Sequence, residues 1–239
     1  MRTAVITGGS RGIGAACVRA FSAAGYRVAF MYRADAAAAQ ALALETGALP
    51  VQADVAQSSA VNAAAEHILR ELRHVDALVN NAGLAMASQF QDITDAQWQR
   101  MLDVNLTGVF YVTRAFLPGM LSQHTGRIVN VSSIWGMVGA SMETAYSAAK
   151  AGLIGLSKAL AKEVGPSGVT VNTLAPGATL TDMLRSYGED TLAQIAAEAP
   201  LGRLCTPEEI AAAALWLCGE GAGMITGQVI SPNGGSVIV

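Results

Sequence analysis

The feature that most constrains this chain is a rhythm, in which short unbroken apolar runs alternate with longer helix-like stretches from end to end. The runs are Thr3–Thr7, Arg27–Met31, Ala48–Gln52, Asp76–Val79, Arg127–Ser132, Val169–Leu174 and Gln228–Ser231. They do not alternate apolar with polar residues, as a strand wetted on one face does. Each therefore reads as a strand covered on both faces, the mark of a parallel sheet. Helical patterns fill the gaps at Gly12–Ala24, Asp35–Thr46, Ser58–Leu72, Asp95–Ser122, Glu143–Val164 and Pro207–Cys218. The alanine-rich run Ala34–Ala43 belongs with them, because alanine is the best helix former. Repetition of this kind builds a doubly wound α/β sheet, here of seven strands, with right-handed crossovers. No linker, repeat or low-complexity stretch divides the 239 residues, so one domain over 1–239 is expected. Helix Glu143–Val164 is apolar nearly all round, which predicts burial on more than one side, against the sheet and against a second subunit.

Composition narrows the function. A net charge of −3 argues against nucleic-acid and anionic-membrane partners. No apolar stretch reaches the roughly 20 uncharged residues of a membrane span. Met1-Arg2 runs directly into a strand, so a chain without a signal peptide is expected. Cys17, Cys205 and Cys218 lack metal-ligand spacing and read as reduced core thiols of a cytoplasmic protein. His67, His74 and His124 show no metal spacing either and read as solvated, so no metal site is expected.

Chemistry is concentrated between Ser133 and Lys150. Tyr146 and Lys150 are four apart and share one face of a helix. A free tyrosine titrates near pKa ~10, and a neighbouring ammonium is expected to lower that value. Ser133 ends an apolar run, which places its hydroxyl at the carboxyl edge of the sheet, where ligands bind in open α/β folds. Together these groups could polarise a carbonyl and protonate its oxygen; the alternative is a helix-surface pair with no catalytic meaning.

At the start of the chain, Thr7-Gly8-Gly9-Ser10-Arg11-Gly12-Ile13-Gly14 follows the first strand and opens the first helix. Glycines permit a tight turn, and free N–H groups at the helix start suit a pyrophosphate; a merely tight turn is the other reading. Where an acid at the end of the second strand would accept ribose hydroxyls, the chain has Tyr32-Arg33. Arg33 and Arg11 suit a 2′-phosphate, hence NADP(H), unless both are simply solvated. Asp54, followed by Val55, is placed either to accept a hydrogen bond from an adenine or to cap a helix.

These motifs resemble the short-chain dehydrogenase/reductase family over essentially the whole chain. Asn80-Asn81-Ala82-Gly83, Asp103-Val104-Asn105, Tyr146-x-x-x-Lys150 and the Pro176-Gly177-Ala178-Thr179-Leu180-Thr181 loop occur in the family's order, with Ser133 thirteen residues before the tyrosine. The resemblance implies that Tyr146 donates the proton, Ser133 binds the substrate oxygen, and Lys150 tunes the tyrosine and holds the nicotinamide ribose. It implies that Asn105 holds a water in a proton relay, that Pro176, Gly177, Thr179 and Thr181 contact the nicotinamide end, and that four copies assemble as a homotetramer. Asn80–Gly83, Tyr146–Ile154, Thr181-Asp182-Met183 and Asn233-Gly234-Gly235 look most like the 3-oxoacyl-[acyl-carrier-protein] reductases. Ser133-Ile134-Trp135-Gly136, Gly139-Ala140-Ser141 and Ile225–Gly235 look like elongation factor P 5-aminopentanone reductases, which act on a modified lysine. The substrate is thus expected to be a small-molecule or protein-tethered ketone.

Basic residues that would hold an acidic carrier protein are missing around His124 and Ser167, and Trp135 is placed to wall the pocket. Glu143 stands one turn before Tyr146. It is either a first-turn acid behind a Ser141 N-cap or a receiver for a substrate ammonium.

Overall fold

The structure, a computed structural model, describes residues 1–181, 184 and 188–239. Seven strands form one all-parallel sheet in the order β3-β2-β1-β4-β5-β6-β7. They are β1 (Thr3–Thr7), β2 (Arg27–Tyr32), β3 (Leu49–Gln52), β4 (Ala77–Asn80), β5 (Gly126–Val131), β6 (Val169–Leu174) and β7 (Val229–Ile230). The chain leaves β1 to one side and returns to β4 on the other, so the strand order reverses between β1 and β4. In such sheets this reversal opens a crevice at the carboxyl edge.

The strands are apolar throughout because both faces are covered. In β1 side chains alternate between layers: Ala4 and Ile6 enter one core, Val5 the other. The first core packs α1 (Gly12–Ala23), α2 (Ala36–Thr46) and α9 (Pro207–Leu217) on the sheet, through residues such as Val18, Phe21, Leu42 and Ile210. The second packs α3 (Ser58–Leu72), α5 (Gly108–Ser122) and α7 (Thr144–Val164), through Ile68, Phe116, Met120 and Val164. Local signals set several boundaries. Thr206 and Glu209 form a capping box at α9, with Pro207 opening the helix, and Gly47 ends α2 in the left-handed conformation at φ 71°. Cys17, Cys205 and Cys218 are buried free thiols, and burial pushes Cys17 and Cys218 up to about 12.

Three expectations need correction. The stretch Asp95–Ser122 is not one helix: α4 (Asp95–Leu102) passes through a π-helical turn, Asp103–Thr107, into α5. Periodicity cannot show one extra residue in a turn, and here the insertion accompanies side-chain bonds made by Asn105. Two helices were not anticipated, the single turn α6 (Trp135–Val138) and α8 (Glu189–Ala197), which buries no residue and so lacks a strong apolar stripe. Glu143 is itself the N-cap of α7, so neither Ser141 nor a first-turn placement holds. Asp182 and Met183 lie outside the described residues.

Candidate active site

The glycine loop is closed by contact rather than by composition alone. A Cβ on Gly14 would lie 2.1 Å from the Gly8 carbonyl oxygen and 2.6 Å from Asn81 Nδ2, so only glycine lets helix α1 start there. Gly8 and Gly12 have φ of 66° and 54°, the left-handed region that glycine occupies without strain. Ser10 and Ile13 are half-buried in the same turn, and Ile13 packs on the first core. The loop after β4 is fastened to β1: Thr7 Oγ1 accepts the N–H groups of Asn81 and Ala82, both at 3.0 Å.

At the far end of the crevice, Tyr32 closes β2 and is half-buried, while Arg33 and Arg11 are exposed. Neither arginine makes an ion pair among the described residues. Asp54 accepts the Ala56 N–H at 3.0 Å and Arg100 Nη2 at 2.9 Å. It does not cap α3, whose N-cap is Gln57. Val55 is buried under the start of α5, where a Cβ on Gly108 would meet its side chain at 3.0 Å.

The proposed tetrad comes together at the carboxyl ends of β4 and β5. Ser133 is buried just beyond β5, and its Oγ accepts the Trp135 N–H at 3.2 Å, which fixes α6 with its half-buried Trp135. Tyr146, in the first turn of α7, faces Ser133. Burial pushes its phenol up to about 12; the Ser133 hydroxyl pulls it down and the Glu143 carboxylate pushes it further up. The expected depression by Lys150 is therefore not seen. Lys150 Nζ lies 5.6 Å from the tyrosine ring centroid and donates to the Val131 carbonyl at 2.8 Å. Burial also brings Lys150 down to about 8. Gly83 separates this amine from Asn105, for a Cβ there would lie 3.5 Å from Lys150 Nζ and 2.9 Å from Asn105 Oδ1. Asn105 is fully buried; its amide donates to Leu84 O at 2.9 Å and Met101 O at 3.1 Å, and its Oδ1 accepts the Leu84 N–H at 3.3 Å. Its side chain thus clasps the loop after β4 to the π-helical turn. Glu143 is half-buried and makes no capping bond, and burial raises its carboxyl.

The loop after β6 forms the remaining wall. Pro176 O accepts the Ile134 N–H at 3.1 Å, Thr179 is buried with its hydroxyl on Gly177 O at 3.0 Å, and Thr181 faces the glycine loop. A Cβ on Gly12 would stand 3.3 Å from Thr181 Cγ2, so the two loops face each other across the crevice.

Sequence reasoning gave Asn233, Ser132 and Gly136, behind this wall, no role in the site. Gly177 packs directly on Asn233, whose amide holds the C-terminal turn by bonds to Ser231 and Val237. Ser132 Oγ donates to the Lys150 carbonyl at 2.9 Å, and a Cβ on Gly136 would collide with both at 2.8 Å. No spacing rule points to these; only the fold brings them to the site. A cavity of about 380 Å³ opens at the amino ends of β2 and β3, lined by Tyr26, Arg27 and Glu71 among others. It lies at the opposite edge of the sheet and contains none of the groups above.

A family model described as enoyl-(acyl carrier protein) reductase matches residues 8–236. The chain is 43% identical to an acetoacetyl-CoA reductase of Shinella zoogloeoides, across 100% of this chain and 99% of that protein. It is 44% identical to an acetoacetyl-CoA reductase of Rhizobium meliloti, across 98% of each. Identity to a 3-oxoacyl-[acyl-carrier-protein] reductase of Chlamydia trachomatis is 40%, across 98% of this chain and 96% of that protein. The family model runs from the glycine loop to the C-terminal turn behind Gly177, and the relatives cover the sheet from edge to edge: the chain belongs to the short-chain dehydrogenase/reductase family of oxidoreductases.

Proposed function

We propose that the protein reduces a ketone to a secondary alcohol with NADPH, and that the whole chain acts as one unit in doing so. The observation that carries this reading is the convergence of Ser133, Tyr146 and Lys150 beside a glycine cradle at the sheet's carboxyl edge. The crevice suits a dinucleotide because the turn opening α1 carries no side chain at Gly8, Gly9, Gly12 and Gly14, which leaves the backbone N–H groups at the helix start open to a phosphate. Gly8, Ser10, Gly12, Ile13 and Gly14 would hold the pyrophosphate, and Arg11, Tyr32 and Arg33 the 2′-phosphate. Asp54 and Val55 would meet the adenine, while Asn81, Ala82, Gly83, Pro176, Gly177, Thr179 and Thr181 would line the nicotinamide end. When bound, the reduced nicotinamide supplies the hydride, which no side chain can.

The rest falls to the chain. A phenol pushed up to about 12 stays protonated at neutral pH, so Tyr146 keeps a proton to deliver to the carbonyl oxygen. Ser133 donates a hydrogen bond to that same oxygen. Lys150, charged over most of the neutral range, stabilises the phenolate left behind. Asn105 maintains the loop beside Lys150 and supports a proton path to solvent.

The relatives are named for acetoacetyl-CoA and 3-oxoacyl-[acyl-carrier-protein] reduction, which favours a 3-oxoacyl thioester as substrate. One feature favours a second reading: Glu143 is a half-buried carboxylate with no partner among the described residues, beside Tyr146. It suits a ketone bearing an ammonium group, as on a modified lysine. Cofactor oxidation measured with NADPH and NADH against acetoacetyl-CoA, a neutral ketone and an aminoketone tests all of this. No turnover of any ketone would refute the reading, and preference for the aminoketone would select the second. We further propose a cytoplasmic homotetramer. The exposed face of α7 carries Ala148, Ala151, Gly152 and Gly155, small enough for a second helix to approach closely. A monomer mass in light scattering would overturn the assembly.

A further inference from the structure

Arg100 lies in the last turn of α4, and its Nη2 reaches Asp54 Oδ2 at 2.9 Å. The two side chains are 35% and 28% exposed, so the pair is partly screened from water. Burial raises the Asp54 carboxyl, but the Ala56 N–H and Arg100 outweigh it, with Arg33 adding, and hold it below the usual carboxylate range. The carboxylate is thereby fixed in place, with lone pairs left on both oxygens for a purine amino group.

The same helix has two other attachments. Met101, next to Arg100, is 1% exposed and packs on Ala145 and Ala149, the residues that immediately precede Tyr146 and Lys150. Four residues further, Asn105 clasps Leu84 from within the π-helical turn. Arg100, Met101 and Asn105 therefore tie three places together within six residues: the end of β3, the catalytic face of α7 and the loop beside Lys150. We propose that Arg100 is a positioning residue, and that α4 couples the adenine end of the crevice to the tetrad through the Arg100–Asp54 pair. This rests on reading the crevice as a dinucleotide site.

The test uses adenosine 2′,5′-bisphosphate, which covers the adenine end and cannot reach Tyr146. Amide hydrogen exchange at residues 103–107 is followed with and without saturating ligand. In the wild-type protein, exchange there should slow by at least about threefold on binding. Arg100→Met should bind the ligand about three- to tenfold more weakly and show no slowing at saturation, with Arg100→Lys recovering part of both. Equal slowing in Arg100→Met, or a lowered melting temperature with slowing intact, would reduce the pair to a structural brace and overturn the proposal. Binding to the wild type without slowing would overturn the coupling alone. Failure of the wild type to bind the ligand at all would overturn the NADP(H) reading beneath it.

Discussion

Lys150 should destabilise the protein that depends on it. It is 3% exposed, and burial lowers its ammonium from 10.5 to about 8. At about 1.4 kcal/mol per pKa unit, keeping it charged costs the folded state roughly 3 kcal/mol. The sign follows from proton counting. Between about pH 8 and 10.5 the unfolded chain holds more protons than the folded one, so stability rises with pH across that window. Lys150→Met keeps the side-chain length and removes the charge. It also leaves the Val131 carbonyl without the 2.8 Å bond from Nζ, a loss of about 1 kcal/mol. The variant should therefore be inactive yet more stable than the wild type by about 2 kcal/mol near neutrality, with the advantage gone by about pH 10.5. Urea unfolding at about pH 7 and about pH 10, at one protomer concentration, measures the difference directly. A variant less stable near neutrality, or a difference that does not change with pH, would refute the reasoning.

Arg33→Ala should weaken NADPH binding by about 1–3 kcal/mol and leave NADH nearly untouched, because only the 2′-phosphate loses its partner; equal losses in titrations of both cofactors would point to a folding defect. Tyr146→Phe should lower kcat by at least about 10²-fold while cofactor binding persists, and near-full turnover of a saturating ketone would remove Tyr146 as the acid. Glu143→Gln removes the negative charge that raises Tyr146, so the phenol should ionise more easily, and its phenolate absorbance, taken as the difference from Tyr146→Phe, should rise at lower pH. The same variant should lose kcat/KM on an aminoketone and keep it on a neutral ketone; an unchanged ratio removes Glu143 as a selector.

Much of this architecture was legible because each layer leaves a periodic mark. Continuous apolar runs meant strands covered on both faces, and all seven hold to within one residue at each end, the last shortening to Val229–Ile230. Spacing also carried Tyr146 and Lys150 to one helix face and Ser133 to the end of β5. Electrostatics was less legible. A lysine four residues from a tyrosine suggests a lowered phenol, but sequence cannot show that Lys150 is buried, that Tyr146 is half-buried or that Nζ turns to a carbonyl. The π-helical turn was hidden for a different reason: Asp103-Val104-Asn105 fits a helix in composition, and only the clasp on Leu84 reveals the extra residue. Arg100 falls inside the helical pattern Asp95–Ser122, where nothing local marks it. Its partner is 46 residues away, and no local pattern encodes that distance.

The asparagines in and beside the apolar runs are a further sequence signal. Asn80 and Asn130 are paired neighbours in β4 and β5, and both are almost fully buried. Asn80 Nδ2 donates to Thr113 Oγ1 of α5 at 3.0 Å and to Asn130 Oδ1 at 2.8 Å. Asn130 Nδ2 continues to Ser157 Oγ of α7 at 2.8 Å, and Ser157 donates to Leu153 O at 2.7 Å. A row of hydrogen bonds donated outward from Asn80 thus links α5 to α7 along one face of the sheet, through Asn130, three residues before Ser133, and Ser157, seven after Lys150. Apolar contacts alone tolerate small sliding of a helix on a sheet, whereas buried hydrogen bonds break if the helix moves by an ångström. Proton transfer is sensitive to displacements of that size. Polar residues within β4 and β5 are therefore best understood as what holds α7, and with it Tyr146 and Lys150, in a fixed register above the strand ends.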